Sequence, residues 1–184
     1  MTVSPNFEEL LIQTGVIQAG EFVSRSGRKM NYKVELGAEF ATSHPALADR
    51  VANYLASLLE KHEPEIVIPV PEGANWLGKK VAAELGIECV FLDKPDRHSV
   101  RFRDEGDAKR VVGKKKALVD DVFSTGGALK TTAGLKGIGT EEAVAGVVWE
   151  RSDSGLPYVR TLGMPLEWVV QRYVPFSDEG INQV

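Results

Sequence analysis

Four short apolar runs, rich in β-branched residues and separated by stretches with helical spacing, constrain this chain more than any other feature. They are EIVIPV at 65–70, IECVFL at 87–92, KALV at 116–119 and AVAGVVW at 143–149. Between the first two, residues 74–85 read as a helix closed by Gly86. After the third, a glycine-rich turn opens a helix reaching to about Gly137. A strand with one wet face alternates apolar and polar residues; these runs do not, so both faces are expected to be covered. Strands of that kind alternating with helices imply an α/β fold, a parallel β-sheet flanked by helices.

The flanks read differently. A first helix is expected from an N-cap at Ser4 with Pro5 in its first turn, carrying Phe7, Leu10, Leu11 and Thr14 on one face and ending at Gly15. Residues 20–36 are polar, with two short strand-like pieces. A second helix follows Thr42 or Ser43, where Leu47, Val51, Tyr54, Leu55 and Leu58 recur at helical spacing. The tail, 156–176, reads as further strand pieces returning toward the N-terminal segment. With no repeat and 184 residues, one domain over 1–184 is expected.

Composition narrows the function. A formal net charge of -4 lacks the basic footprint of a nucleic-acid binder. No apolar run is long enough to span a bilayer, so no membrane partner is expected. Residues 1–6 lack the basic and apolar pattern of a signal peptide. The single cysteine, Cys89, sits in an apolar run and reads as a buried structural thiol. Together these point to a cytoplasmic protein.

Residues 93–113 form the long polar exception. They hold Lys94, Asp96, Arg97, His98, Arg101, Arg103, Asp107 and Arg110 with little apolar content. A polar segment this long inside a compact domain is either a solvated excursion or a mobile lid carrying cations to an anionic substrate. Both readings stay open on the residues alone.

The chemistry concentrates in ALVDDVFSTGGA, residues 117–128. The strand delivers Asp120 and Asp121 to its C-terminal edge, where open α/β sheets bind ligands. Carboxylates there can accept hydrogen bonds from sugar hydroxyls. Ser124, Thr125, Gly126 and Gly127 can wrap a phosphate, because glycine lets backbone N–H groups approach closely and a helix N-terminus favours negative charge. Acids beside an anion cradle suit a ribose phosphate. No Gly-Lys-Ser/Thr follows, so this is not a P-loop, and it is not a GxGxxG fingerprint.

This stretch resembles the 5-phosphoribosyl-1-pyrophosphate (PRPP) motif of type I phosphoribosyltransferases: an apolar strand, two acids, two apolar residues, then Ser/Thr-Thr-Gly. GEFVSRSGRKMNY at 20–32 is similar to the N-terminal segment of the orotate phosphoribosyltransferases. Residues 70–78 stand where that family has its pyrophosphate loop, and Trp149-Glu150-Arg151 where it has an arginine contacting the base. The resemblance implies the type I fold, with a small hood from residues 1–40 and about 156–176, and 93–113 as a mobile loop. It implies that Asp120 and Asp121 hold the ribose hydroxyls and that Ser124, Thr125, Gly126, Gly127 and Ala128 hold the 5-phosphate. Glu72, Gly73 and Ala74 would meet pyrophosphate. Arg25, Tyr32, Ser124 and Arg151 would meet the base. Lys94, Arg97 and His98 would join Asp120 and Asp121 as catalytic groups. Mg2+ would be held mainly through PRPP, with no metal site made by the protein alone. A homodimer, with the loop crossing between subunits, is implied in the same way.

Several positions depart from the family pattern. Arg25 stands for a lysine, Tyr32 is followed by Lys33 rather than a second aromatic, and Glu72 lies in the pyrophosphate loop. His98 comes one residue early and Ser99 replaces a glycine, with Arg101 and Arg103 as possible compensation. The expected activity is transfer of 5-phosphoribosyl from PRPP to orotate. The alternatives are a phosphoribosyltransferase for another base, or a PRPP- or nucleotide-binding regulator with impaired turnover.

Overall fold

A computed structural model describes residues 6–23, 29–96, 99–151 and 162–171. Five parallel strands form the main sheet. In sequence they are β3 (Ile66–Pro69), β4 (Glu88–Cys89), β7 (Lys116–Phe123), β8 (Ala143–Glu150) and β9 (Leu166–Gln171); in space the order is β4-β3-β7-β8-β9. The chain steps outward from β3 to β4 on one side, then crosses back and steps from β7 to β8 to β9 on the other. The order therefore reverses between β3 and β7, and a crevice opens there beyond the strand ends.

Both sheet faces are dry, as the apolar runs require. Val67, Ala117, Val119, Val144 and Val148 pack on one side against α3 (Pro45–Glu60) and α4 (Asn75–Leu85). Ile66, Ile68, Leu118, Ala145 and Val147 pack on the other with α6 (Gly127–Ala133) and with Val111 of α5 (Asp107–Val111). Neighbouring residues of β3 and β7 thus serve opposite cores, the period of two that a strand imposes. Each fully buried Val, Leu or Ile contributes roughly 1.5–3 kcal/mol relative to exposure.

The N-terminal flank has α1 (Phe7–Gln13), then the antiparallel hairpin β1 (Ile17–Val23) and β2 (Lys29–Val34), then α2 (Ala38–Ser43). Several expectations are corrected. The cap of α1 is Asn6, whose Oδ1 accepts from the Glu9 N–H at 3.2 Å; Ser4 and Pro5 lie outside the described residues. The helix expected after Thr42 or Ser43 starts at Pro45, with His44 before it and α2 as an extra turn. The α6 helix ends at Ala133, where Gly134 closes it, rather than near Gly137. Gly86 does close α4.

The apolar run 87–92 is split. Glu88 and Cys89 pair with β3, the Val90 N–H bonds the Val67 carbonyl at 2.9 Å, and the chain then leaves the sheet. Leu92–Asp93 (β5) instead pairs antiparallel with Arg101–Phe102 (β6). Residues 93–113 are accordingly not one long loop: they hold this hairpin and α5. Val111 is fully buried, and the buried Asp107 is paired with Arg110. The described part of the tail also differs from a hood element. Leu166–Gln171 continues the main sheet as the strand beside β8, while Val170 shares a core with Phe7 and Leu11 of α1. Cys89 is half-buried, and burial pushes its thiol up to about 12, so it is an unreactive thiol near neutral pH.

Candidate active site

The site grows out of a length mismatch. β3 pairs with β7 only as far as Pro69 against Val119, and the Val70 N–H closes the ladder on the Val119 carbonyl at 2.8 Å. β7 runs on to Phe123, still paired with β8. Asp120 and Asp121 therefore stand just past the end of β3, beside the turn 71–74 that leads into α4. A Cβ built on Gly73 would lie 3.0 Å from Asp121 Oδ2. Two segments far apart in sequence, the expected sugar-binding acids and the expected pyrophosphate loop, are brought into contact.

The acids are partly fixed by their own backbone. Asp120, which is 8% exposed, accepts the Asp121 N–H at 3.0 Å. Asp121 accepts the Val122 N–H at 2.8 Å and is more open. These bonds hold each carboxylate near one orientation, which pre-organises it for a ligand. Glu72 and Gly73 are exposed, and Ala74 is buried at the start of α4.

After β7 the chain makes the turn Ser124-Thr125-Gly126. Gly126 has φ +71°, and a Cβ there would sit 2.9 Å from the Phe123 ring and 3.0 Å from Leu162. Both the backbone angle and the space demand glycine. No side chain caps α6. Among the described residues, the Ser124 and Thr125 hydroxyls make no hydrogen bond to protein. Gly127 is exposed, and Ala128 follows in the first turn.

Tyr32 and Arg151 also meet. The Arg151 guanidinium lies 4.4 Å from the Tyr32 ring centroid, a cation–π contact between the hairpin and the sheet edge. The Arg151 N–H bonds the Phe123 carbonyl at 2.8 Å, placing it on the same edge as the 124–127 turn. Tyr32 is 2% and Arg151 4% exposed, so this arginine presents little surface in this conformation. Lys94 lies just beyond β5, on the separate two-stranded hairpin. There Arg103 and Arg101 engage Asp93 at 3.1 and 3.8 Å, and Asp96 holds the Ser99 N–H and Oγ at 2.8 and 2.6 Å. The expected compensation by Arg101 and Arg103 thus meets cations already paired on their own hairpin. Arg25, Arg97 and His98 lie outside the described residues.

Two residues within 70–78 were given no role by the sequence reading. Trp76, on the first turn of α4, donates its indole N–H to the Leu36 carbonyl at 2.9 Å and meets Phe40 edge-on at 5.7 Å. It ties the segment after β2 to the helix that the 71–74 turn enters. Asn75 Oδ1, on the same turn, is buried without a hydrogen-bond partner. An aromatic and an amide after a turn carry no functional pattern in one dimension. Two surface clefts, of about 430 and 360 Å3, lie elsewhere, lined by His62 and Lys116 or by Val16 and Phe40. Concavity and convergent chemistry point to different places, and the acids with the uncapped turn are the better guide because they carry the expected chemistry.

Residues 41–162 match the family model described as a phosphoribosyl transferase domain. The chain belongs to the phosphoribosyltransferase family of enzymes. It is 30% identical over 179 residues to an orotate phosphoribosyltransferase of Thermotoga petrophila, covering 95% of this chain and 93% of the relative. Its fold is similar to that of orotate phosphoribosyltransferase from Aeropyrum pernix, with TM-score 0.68, 18% identity, and coverage of 90% and 93% of the two chains. It is also similar to that of APRTase from Giardia lamblia complexed with 9-deazaadenine, with TM-score 0.62, 18% identity, and coverage of 88% and 96%. The matched span of this phosphoribosyltransferase carries both acids, the 124–127 turn and the 71–74 turn. The hairpin bearing Tyr32 and the strand β9 fall outside it.

Proposed function

We propose that the chain transfers 5-phosphoribosyl from PRPP to orotate, giving orotidine 5-phosphate and pyrophosphate in pyrimidine nucleotide synthesis. One observation carries the reading: two acids and an uncapped, hydroxyl-lined turn converge at the β3/β7 reversal, against a second turn whose Gly73 leaves no room for a side chain beside Asp121. The name of the Thermotoga relative supports orotate as the base.

Asp120 and Asp121 accept hydrogen bonds from the ribose hydroxyls and stabilise the positive charge that grows on the sugar ring. Ser124, Thr125, Gly126, Gly127 and Ala128 hold the 5-phosphate through amides and hydroxyls. Glu72, Gly73 and Ala74 line the pyrophosphate side; the exposure of Glu72 lets its charge stay in water. Arg25, Tyr32, Ser124 and Arg151 orient the base. Lys94, Arg97 and His98 neutralise the departing pyrophosphate as the 93–113 segment closes on the site.

Mg2+ fits this donor set in one way only. Among the described residues no group of three or more His, Cys, Asp or Glu side chains is arranged to hold a metal. Mg2+ is commonly bound by one or two carboxylates together with substrate phosphates, so Asp120 and Asp121 would share the ion with PRPP. Bound there, it supplies charge neutralisation of the pyrophosphate. A homodimer acting in the cytosol completes the reading. Among the described residues no helix is long and apolar enough to cross a membrane.

A second reading keeps PRPP and changes the base. The burial of Arg151 under contact with Tyr32 favours it, because a carboxylate-bearing base needs that guanidinium to be reachable. Turnover decides between them: protein, Mg2+ and PRPP with orotate, adenine, hypoxanthine or uracil, product followed by chromatography. Product from orotate supports the first reading. Product from another base alone supports the second. No turnover with any base, alongside PRPP binding, favours a regulator.

A further inference from the structure

A lysine can bury its aliphatic stem while its ammonium keeps contact with solvent, where it can meet an anion. Lys116, at the N-terminal start of β7, is 5% exposed. Among the described residues it makes no ion pair or side-chain hydrogen bond, whereas Lys61, His62 and Lys115 nearby do. Lys115 bonds Glu63 at 2.7 Å; Lys61 and His62 both reach Glu167, at 2.9 and 2.8 Å. Its backbone is firmly set, with its N–H on the Glu142 carbonyl at 2.9 Å and its Cα paired with Ile66 and Ala143.

Lys116 lines a cleft of about 430 Å3 with His62, Thr140, Glu141, Glu142 and Gly163. The cleft lies toward the opposite end of the sheet from Asp120 and Asp121, since Lys116 opens the strand and those acids stand in its C-terminal half. Thr140 is half-buried, and its hydroxyl has no protein partner among the described residues. Glu142 adopts φ +54°, a backbone angle uncommon outside glycine. That bend carries its carbonyl to the Lys116 N–H, and its side chain remains exposed.

We propose that this cleft is a second anion site, in which Lys116 and the Thr140 hydroxyl bind a small oxyanion of the phosphate class. The exposed Glu141 and Glu142 share the lining, so a compact anion fits better than an extended polyanion such as PRPP. The site is distinct from the phosphate turn at 124–127 and does not depend on which base the enzyme uses.

Inorganic phosphate titrated into 15N-labelled full-length protein tests this. Two separate groups of amide shifts are expected, one at 124–127 and one at 140–143 with Gly163. Lys116→Met keeps the length and removes the charge. It should abolish the second group and leave the first intact. Lys116→Arg should retain both, and Glu141→Gln should move the second group at lower phosphate concentration. Shifts confined to 124–127 in the wild type would overturn the proposal, as would a second group unchanged by Lys116→Met. Should the Met variant not fold, the Glu141→Gln titration decides: an unchanged midpoint for the second group counts against the site.

Discussion

The two ends of the same five strands are built on opposite terms. At the C-terminal end, β3 and β7 stop at different heights and release into turns rich in small residues. Among the described residues, the hydroxyls of Ser124 and Thr125 make no hydrogen bond there and no side chain caps the helix that follows. At the N-terminal end, several charges are spent on charge: Lys61 and His62 hold Glu167 and Lys115 holds Glu63, while Lys116 makes no ion pair among the described residues. One end keeps polar capacity for a ligand and the other uses it to fasten the fold. Substitutions at the first end should therefore act mainly on turnover, and at the second mainly on stability.

The strongest test is Asp121→Asn. Asn keeps the acceptor for the Val122 N–H but removes the charge. Turnover should fall about 100- to 1000-fold, with the thermal midpoint nearly unchanged. A matching loss of midpoint would assign Asp121 to the fold and erase the contrast. Gly126→Ala is the deliberate exception. Its Cβ would meet the Phe123 ring at 2.9 Å with φ at +71°, so it should cost about 1–3 kcal/mol of stability. A urea-unfolding midpoint equal to wild type would mean that the turn relaxes freely and is not pre-organised.

Gly73→Ala sharpens the comparison at the contact between the two turns. The added methyl, 3.0 Å from Asp121 Oδ2, should displace that carboxylate by a few tenths of an ångström. Turnover should drop about tenfold with little change in unfolding. Unaltered kinetics would separate Gly73 from the chemistry.

The smallest effect belongs to the other end. Burial raises the Glu167 pKa, but the hydrogen bonds from His62 and Lys61 outweigh it and hold the carboxyl below its usual 4.5. A depressed carboxylate stabilises the fold above its unfolded pKa and loses that contribution as pH falls through the folded one. Glu167→Gln should cost at most about 1 kcal/mol at neutral pH, and the gap from wild type should close well below pH 4.5. Turnover at neutral pH should not move; if it does, the ends are coupled.

Much of the core was legible because buried strands and helices leave different periods. β3, β7 and β8 stand where the apolar runs predict them, and the cap at Gly86 stands where expected. The segment 93–113 was harder because charges read one by one look solvated. Asp93 is held by Arg103 and Asp107 by Arg110, which lets Val111 bury against the second core. The missed Trp76 contact joins residues forty positions apart and leaves no periodic trace.

By itself the sequence determined the composition of the site: two acids at a strand end, then hydroxyls and glycines, since these depend only on neighbours along the chain. Tertiary structure alone decided what faces them. The reversal between β3 and β7 sets Gly73 on Asp121, and the hairpin packing sets Tyr32 on Arg151. Those contacts arise from strand order and sheet packing, which are properties of how distant segments bury their apolar faces together and are not written at any single position.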